Sequence, residues 1–438
     1  MMAYFQKKQI DKVQQCLELA RHQGASGAAI ELNHGNSYSC SYEAGRLKHT
    51  ALSESLRYDI QVLVNGRRGT ASGNVMDAME NMLERALTLA KIGAVSHFDQ
   101  YPAPGTYAKV KFCSNSLKLL TRDKLIADCG ELVETMKEWD PDMEIEAGGG
   151  HSESEGFIAN TGGFFQPIGE TSWALGAGFT KITGEDMLFA GESRTWGEVN
   201  HLYDIAFLKN KLQEDFTYGS RLAEFKGAKL PVLLAPPVVR QFMAPILGAL
   251  NGRDVYKGIS PMREKLGKAA FASNLTITDQ PHLDFAPGSA VFDNVGLPTQ
   301  PVTLIEQGRI NMFLYDYDSA HLAGVAPTAH SGCTPYNSRI TPGNCPAKQM
   351  LATIKRGIYV QSLLGFGQSN LANGDFSCNI AVGYLVENGE IIGRIKNSMI
   401  AGNIFDLCSR EFHISSDYEA NFQTPHFFFP EINLTTKQ

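Results

Sequence analysis

The sequence has no apolar run long enough to cross a membrane as a helix. The longest, Leu230 to Val239, is interrupted by three prolines, and a spanning helix needs ~20 apolar residues. No long apolar stretch follows the first residues either, so no secretory signal is expected. No basic run exceeds two residues, and 39 Lys+Arg stand against 46 Asp+Glu for a net charge of −7. Phosphate affinity comes mainly from Lys and Arg, so no nucleic-acid partner is expected. The eight cysteines contain no C-x-x-C pair, and they read as reduced, mostly buried thiols of a cytoplasmic protein. The P-loop, the dinucleotide fingerprint and the G-x-S-x-G elbow are missing. So is any His-Glu dipeptide, which removes the helical zinc-protease signatures, where that Glu activates a metal-bound water.

What is present suits a globular chain. Of 438 residues, 43% are hydrophobic and 19% charged, enough for two or three domains with ample core. Residues 6–22 predict a helix with Ile10, Val13, Leu17 and Ala20 on one face. Ala28 to Leu32 reads as a strand. Tyr58, Ile60, Val62 and Val64 follow a near-period of two up to Asn65-Gly66, a hairpin turn, with Arg67 to Gly73 as the return strand. A helix at about 75–92 buries Met76, Met79, Leu83, Ala86, Leu87 and Ala90. Residues 94–118 lack periodicity and read as a linker. The pattern then returns: Thr121 caps a helix with Leu125, Cys129, Leu132, Val133 and Met136 on one face, followed by strand-like segments up to Ala190. A third region opens at about 226 with a short buried strand and a helix from Pro236 to Leu250. It continues as glycine-punctuated strands, including a hairpin across Glu387-Asn-Gly389. The expected class is α+β. Two helix-plus-strand subdomains (1–93 and 119–222), joined by the linker 94–118, precede a large, mostly antiparallel β-rich domain (226–438).

Candidate chemistry is thin. His321, His330, Cys333 and Cys345 offer zinc-type donors at H-x8-H-x2-C-x11-C. Structural zinc sites draw their ligands in close pairs, and His321 with His330 is not one, so a loop with scattered His and Cys is the plainer reading. Asp375 reads as a turn residue before it reads as a catalytic carboxylate. Arg67-Arg68 could face an acidic group or simply start a solvated strand. Trp173 and Trp196 fit core better than binding platforms.

The order of several C-terminal strings is more informative. Gly357-Ile-Tyr-Val360, Gly365-Phe-Gly367, Asn373-Gly-Asp-Phe-Ser377, Gly383-Tyr-Leu-Val-Glu-Asn-Gly-Glu390 and Ile400-Ala-Gly-Asn403 together resemble the TldD/PmbA family, which also carries the label modulator of DNA gyrase. Asn65-Gly-Arg-Arg-Gly69 before an Ala-rich helix is similar to that family's N-terminal domain. Val291-Phe-Asp-Asn-Val-Gly-Leu-Pro-Thr299 resembles its Asp-x-x-Gly-x-Pro-Thr strand. The resemblance covers nearly the whole chain.

The resemblance implies a role by what is missing. TldD-type chains carry H-E-x-x-x-H on the helix after the first strand of the C-terminal domain, and a Cys further on completes the zinc site. Here that helix, Pro236 to Leu250, offers Arg240 and Gln241 among prolines and apolar residues, and Cys408 receives no metal role. The chain therefore resembles the TldE/PmbA branch. That branch implies a metal-free subunit whose TldD-type partner holds zinc and which degrades or processes unstructured peptides. It implies dimerisation mainly through the C-terminal unit, a homodimer being open to the isolated chain, and no catalytic, cofactor-binding or metal residue of its own. Two rivals are a stand-alone metal-dependent hydrolase using the His321/His330/Cys333/Cys345 loop, and a non-enzymatic regulator binding a protein such as DNA gyrase.

Overall fold

The computed structural model describes Phe5, residues 7–419, Asn421 and residues 424–436. The chain opens with α1 (Lys7–His22), β1 (Gly27–Glu43), β2 (Arg46–Val64), β3 (Arg67–Gly73) and α2 (Met79–Ala90). It repeats the same order with α3 (Arg122–Trp139), β4 (Glu144–Asn160), β5 (Phe165–Thr183), β6 (Asp186–Trp196) and α4 (Ile205–Gly219). The six strands form one antiparallel sheet in the order β3-β2-β1-β4-β5-β6. The two halves meet where β1 pairs with β4, from Ala29 opposite Asn160 to Tyr42 opposite Ala147.

α1, α2 and α3 form where the apolar spacing predicts helices, and α5 where a helix from Pro236 is expected, whereas α4 lies in a stretch the spacing leaves unassigned. α1 buries Val13, Cys16, Leu17 and Ala20 in the core it shares with β1, β4 and α2. On α3, Leu125, Cys129, Leu132, Val133 and Met136 are buried, and the Thr121 hydroxyl accepts the Lys124 amide hydrogen at the helix start. The β2–β3 turn holds Asn65 at φ 50° and Gly66 at φ 69°, the left-handed pair that a two-residue hairpin requires. On α4 the Asp204 carboxylate caps the Phe207 amide, and the buried stripe is Leu208, Leu212, Asp215 and Gly219.

The C-terminal region runs β7 (Ala228–Leu234), α5 (Pro236–Gly248), α6 (Gly252–Tyr256), β8 (Ile277–Asp279), β9 (Val302–Glu306), β10 (Arg309–Ile310), α7 (Tyr317–Ala323), β11 (Ser338–Ile340) and α8 (Ala347–Ala352). Then come β12 (Arg356–Leu364), β13 (Asp375–Glu387), β14 (Glu390–Arg394), β15 (Ser398–Asn403), α9 (Ile404–Ser409), β16 (His413–Glu419) and β17 (Thr424–Thr436). The main sheet runs β12-β7-β17-β15-β13-β14, with β16 beside β17. β12 also pairs with β13, so five strands close into a ring. All the pairings are antiparallel except β12 with β7. The class is α+β, as the sequence predicts.

Ion pairs join the six-stranded sheet to this region, among them two that start from β6. Asp186 on β6 takes Arg394 on β14 at 2.7 Å, and Arg194 on β6 takes Glu419 on β16 at 3.2 Å. α4 lies between them, packed against β5 and β6 on one side and β13 and β14 on the other.

Candidate functional site

Helix α5 is the element to which the resemblance assigns the metal of TldD-type chains. Here Pro236 stands at its first position, where the missing amide hydrogen costs nothing. Val238, Val239, Phe242, Met243 and Ile246 turn into the main C-terminal core. Phe242 stacks on Phe366 with ring centroids 5.5 Å apart. The polar residues of the helix are Arg240, exposed, and Gln241. Guanidinium has no lone pair to give, and an amide is a poor zinc ligand. Zinc does not fit this helix.

The loop donors do not fit it either. His330 is buried, and both ring nitrogens are engaged: Nδ1 lies 2.7 Å from the Thr328 carbonyl and Nε2 3.1 Å from Asp279. Cys333 is buried with its sulfur 3.1 Å from the Ser319 hydroxyl. His321 is exposed on α7 beside the Tyr317 carbonyl, and Cys345 sits next to Ser415 at the start of β16. Among the described residues no group of three or more His, Cys, Asp or Glu could hold a metal ion. The other residues singled out by sequence have structural partners. Asp375 accepts from the Asn403 amide at 2.8 Å. Arg68 reaches Asp318 at 3.5 Å, where His97 and Arg253 also converge. Trp173 is buried in the core under α3 and α4.

The groups that the fold does bring together line a cavity of about 560 Å³ between β6, α4 and the C-terminal ring. The first turn of α5, at Ala235 to Pro237, forms part of its wall. Asp215 is buried on α4 and is satisfied by Lys211 at 3.1 Å and by the Gln361 amide of β12 at 2.8 Å. Burial works against the Lys211 charge, yet Asp215 holds its ammonium above the ordinary value. Burial pushes the Glu192 carboxyl of β6 up to about 7, helped by Glu419 and opposed by Lys211. His426 on β17 is driven the other way: burial lowers it to about 4 against the pull of Asp417, so its ring is neutral at pH 7. Its Nε2 lies 3.5 Å from the Tyr359 hydroxyl and its Nδ1 3.6 Å from Asp417.

This arrangement can recognise a charged group or exchange a proton near neutral pH. Among the described residues it brings no base against a nucleophile: Ser193 and Ser362 line the cavity without a bonded imidazole. Sequence reasoning did not single out Glu192, Lys211, Asp215 or His426, which come from different elements. One sign was available. Asp215 continues the apolar stripe Leu208, Leu212 on α4, and a carboxylate on a buried stripe needs a partner.

Comparison with known proteins supplies the remaining findings. A family model described as PmbA/TldA metallopeptidase C-terminal domain matches residues 227–436, and one described as PmbA/TldA metallopeptidase domain 1 matches residues 28–90. Metalloprotease PmbA of Escherichia coli O157:H7 is 26% identical over 447 residues, covering 97% of this chain and 95% of its own. The zinc metalloprotease TldD homolog of Saccharolobus solfataricus is 31% identical over 250 residues, covering 53% of this chain and 56% of its own. The crystal structure of TldE from Thermococcus kodakarensis superposes with a TM-score of 0.86 at 19% identity, over 97% of this chain and all of that one. That likeness carries the fold.

Proposed function

This chain belongs to the PmbA/TldD metallopeptidase family, and on that premise we propose that it is the metal-free, TldE/PmbA-like subunit of a two-chain metallopeptidase. Its partner is a zinc-bearing TldD-type homologue, and the pair processes unstructured peptides. Helix α5 carries this reading: its position in the C-terminal region is the one that holds zinc in the other branch, and its side chains are prolines, apolar residues, Arg240 and Gln241. Two similar strand-rich chains can enclose a cavity and hold an extended peptide by main-chain pairing along a sheet edge. One half then brings the metal, which activates water, and the other brings walls and register. Contact through the C-terminal region, a homodimer of the isolated chain over the same surface, and a cytoplasmic location belong to the same proposal. Among the described residues no helix is long and apolar enough to cross a membrane.

Elemental analysis and peptidase assays test this reading. The chelator-washed chain should hold well under one zinc per chain and cleave no peptide. Cleavage should appear on mixing with a TldD-type homologue, and should vanish when that homologue's metal-adjacent Glu is replaced. Stoichiometric zinc that is lost in a His330→Ala/Cys333→Ala variant, together with activity of the lone chain, would overturn it in favour of a stand-alone hydrolase.

A further inference from the structure

We propose that the cavity between β6, α4 and α5 is a receptor for a primary ammonium group carried by a peptide, with Glu192 as its counter-ion. The inference rests on the subunit reading only for the choice of a peptide as the carrier.

The charges around the cavity do not balance. Four carboxylates face it: Glu192 from β6, Asp215 from α4, and Asp417 and Glu419 from β16. Lys211 is taken by Asp215. Arg194 is taken by Glu419 and lies 3.6 Å over the Phe207 ring. Asp417 accepts the Ala347 amide hydrogen at 2.6 Å and faces a neutral His426. Glu192 is left without an ion pair or a hydrogen bond among the described residues. A ligand that completes such a site must donate hydrogen bonds and bring positive charge; an anion would meet two unneutralised carboxylates. Phe189, Phe207, Val382 and Pro236 supply apolar wall beside Glu192, which suits the methylenes of a lysine or the first residues behind an N-terminal amine. Both sources share the ammonium chemistry.

Affinity should follow the Glu192 proton. Its carboxyl, pushed up to about 7 by burial, ionises as pH rises from about 5.5 to 7.5, while a lysine ammonium stays charged. His426, at about 4, is neutral throughout that window. Binding should therefore strengthen as pH rises.

The test uses the full-length lone chain and three peptides of one extended sequence, each with a C-terminal fluorophore, read by anisotropy. One has a free N-terminus and no lysine, one is N-acetylated with a single lysine, and one is N-acetylated without lysine. At least one amine-bearing peptide should bind about tenfold or more tightly than the neutral one, the scale of one charge-assisted hydrogen bond. The first two arms identify the source of the amine. Glu192→Gln should erase the preference while thermal unfolding stays in place. The pH series on the unaltered chain gives a second readout that needs no variant. Equal affinity for all three peptides, no binding of any, or a preference that ignores pH would overturn the proposal. None of these measurements involves zinc or cleavage. A chain without ammonium preference that still activates a TldD-type homologue would leave the subunit reading in place.

Discussion

At Asp293 a single carboxyl is split between two environments. One oxygen, Oδ1, accepts the amide hydrogens of Val295 and Leu297 at 3.0 and 2.8 Å and so shapes the turn. The other, Oδ2, is buried with no partner among the described residues. Burial outweighs those amides and pushes the group up to about 6, above the ~3.9 of an unfolded Asp. Between about pH 4 and 6 the folded chain therefore keeps a proton that the unfolded chain has released, and stability falls as pH rises across that window. Asp293→Asn keeps an Oδ1 acceptor and removes the charge. It should stabilise the chain at pH 7 by roughly 1 to 3 kcal/mol and change little near pH 4. Denaturant unfolding at both values checks this; a loss of stability at pH 7 would mean that the ionised form is what the turn needs. The sequence shows this Asp inside a motif. It could not show that half of the carboxyl is solvated by backbone and half by nothing, because that depends on what covers the loop.

At the scale of elements, legibility follows burial. The faces of α1 and α3 are predicted because each packs one side on a sheet, so apolar residues recur at helical spacing. The end of β2 from Tyr58 onward reads clearly for the same reason. Its first part, from Arg46 to Arg57, is largely exposed, and without a buried face no alternation marks it as strand. The site is least legible, since its groups are chosen by contact between β6, α4, β12, β16 and β17 rather than by periodicity along any one of them. Gly69 shows how a motif becomes physical. A side chain there would put Cβ 2.0 Å from the Ala86 carbonyl oxygen and 2.6 Å from the Ala90 nitrogen, so the glycine lets α2 lie directly on β3. Gly69→Ala should push the helix off the strand and cost about 3 kcal/mol, the upper range for overpacking against backbone. Thermal or denaturant unfolding measures it; a cost under about 0.5 kcal/mol, the size of an ordinary surface change, would show that α2 shifts freely.

For the whole molecule, the sequence suggests helix-plus-strand order twice but does not say which strands become neighbours. The alternation in β1 suits a partner on either side, and the pairing of β1 with β4 joins residues 27–43 to residues 144–160. The chain is made from its N-terminus, so β1 emerges about a hundred residues before the strand that covers its second edge. Until then the N–H and C=O groups of every second residue along that border lie open, the kind of template on which unrelated chains assemble. A chain ending at residue 118 should therefore self-associate, which light scattering and thioflavin fluorescence would detect; a soluble monomer of that length would show that the open border of β1 is shielded by something other than β4. The seam that unites the two halves is thus also a hazard of biosynthesis, present for as long as the ribosome takes to deliver the second half.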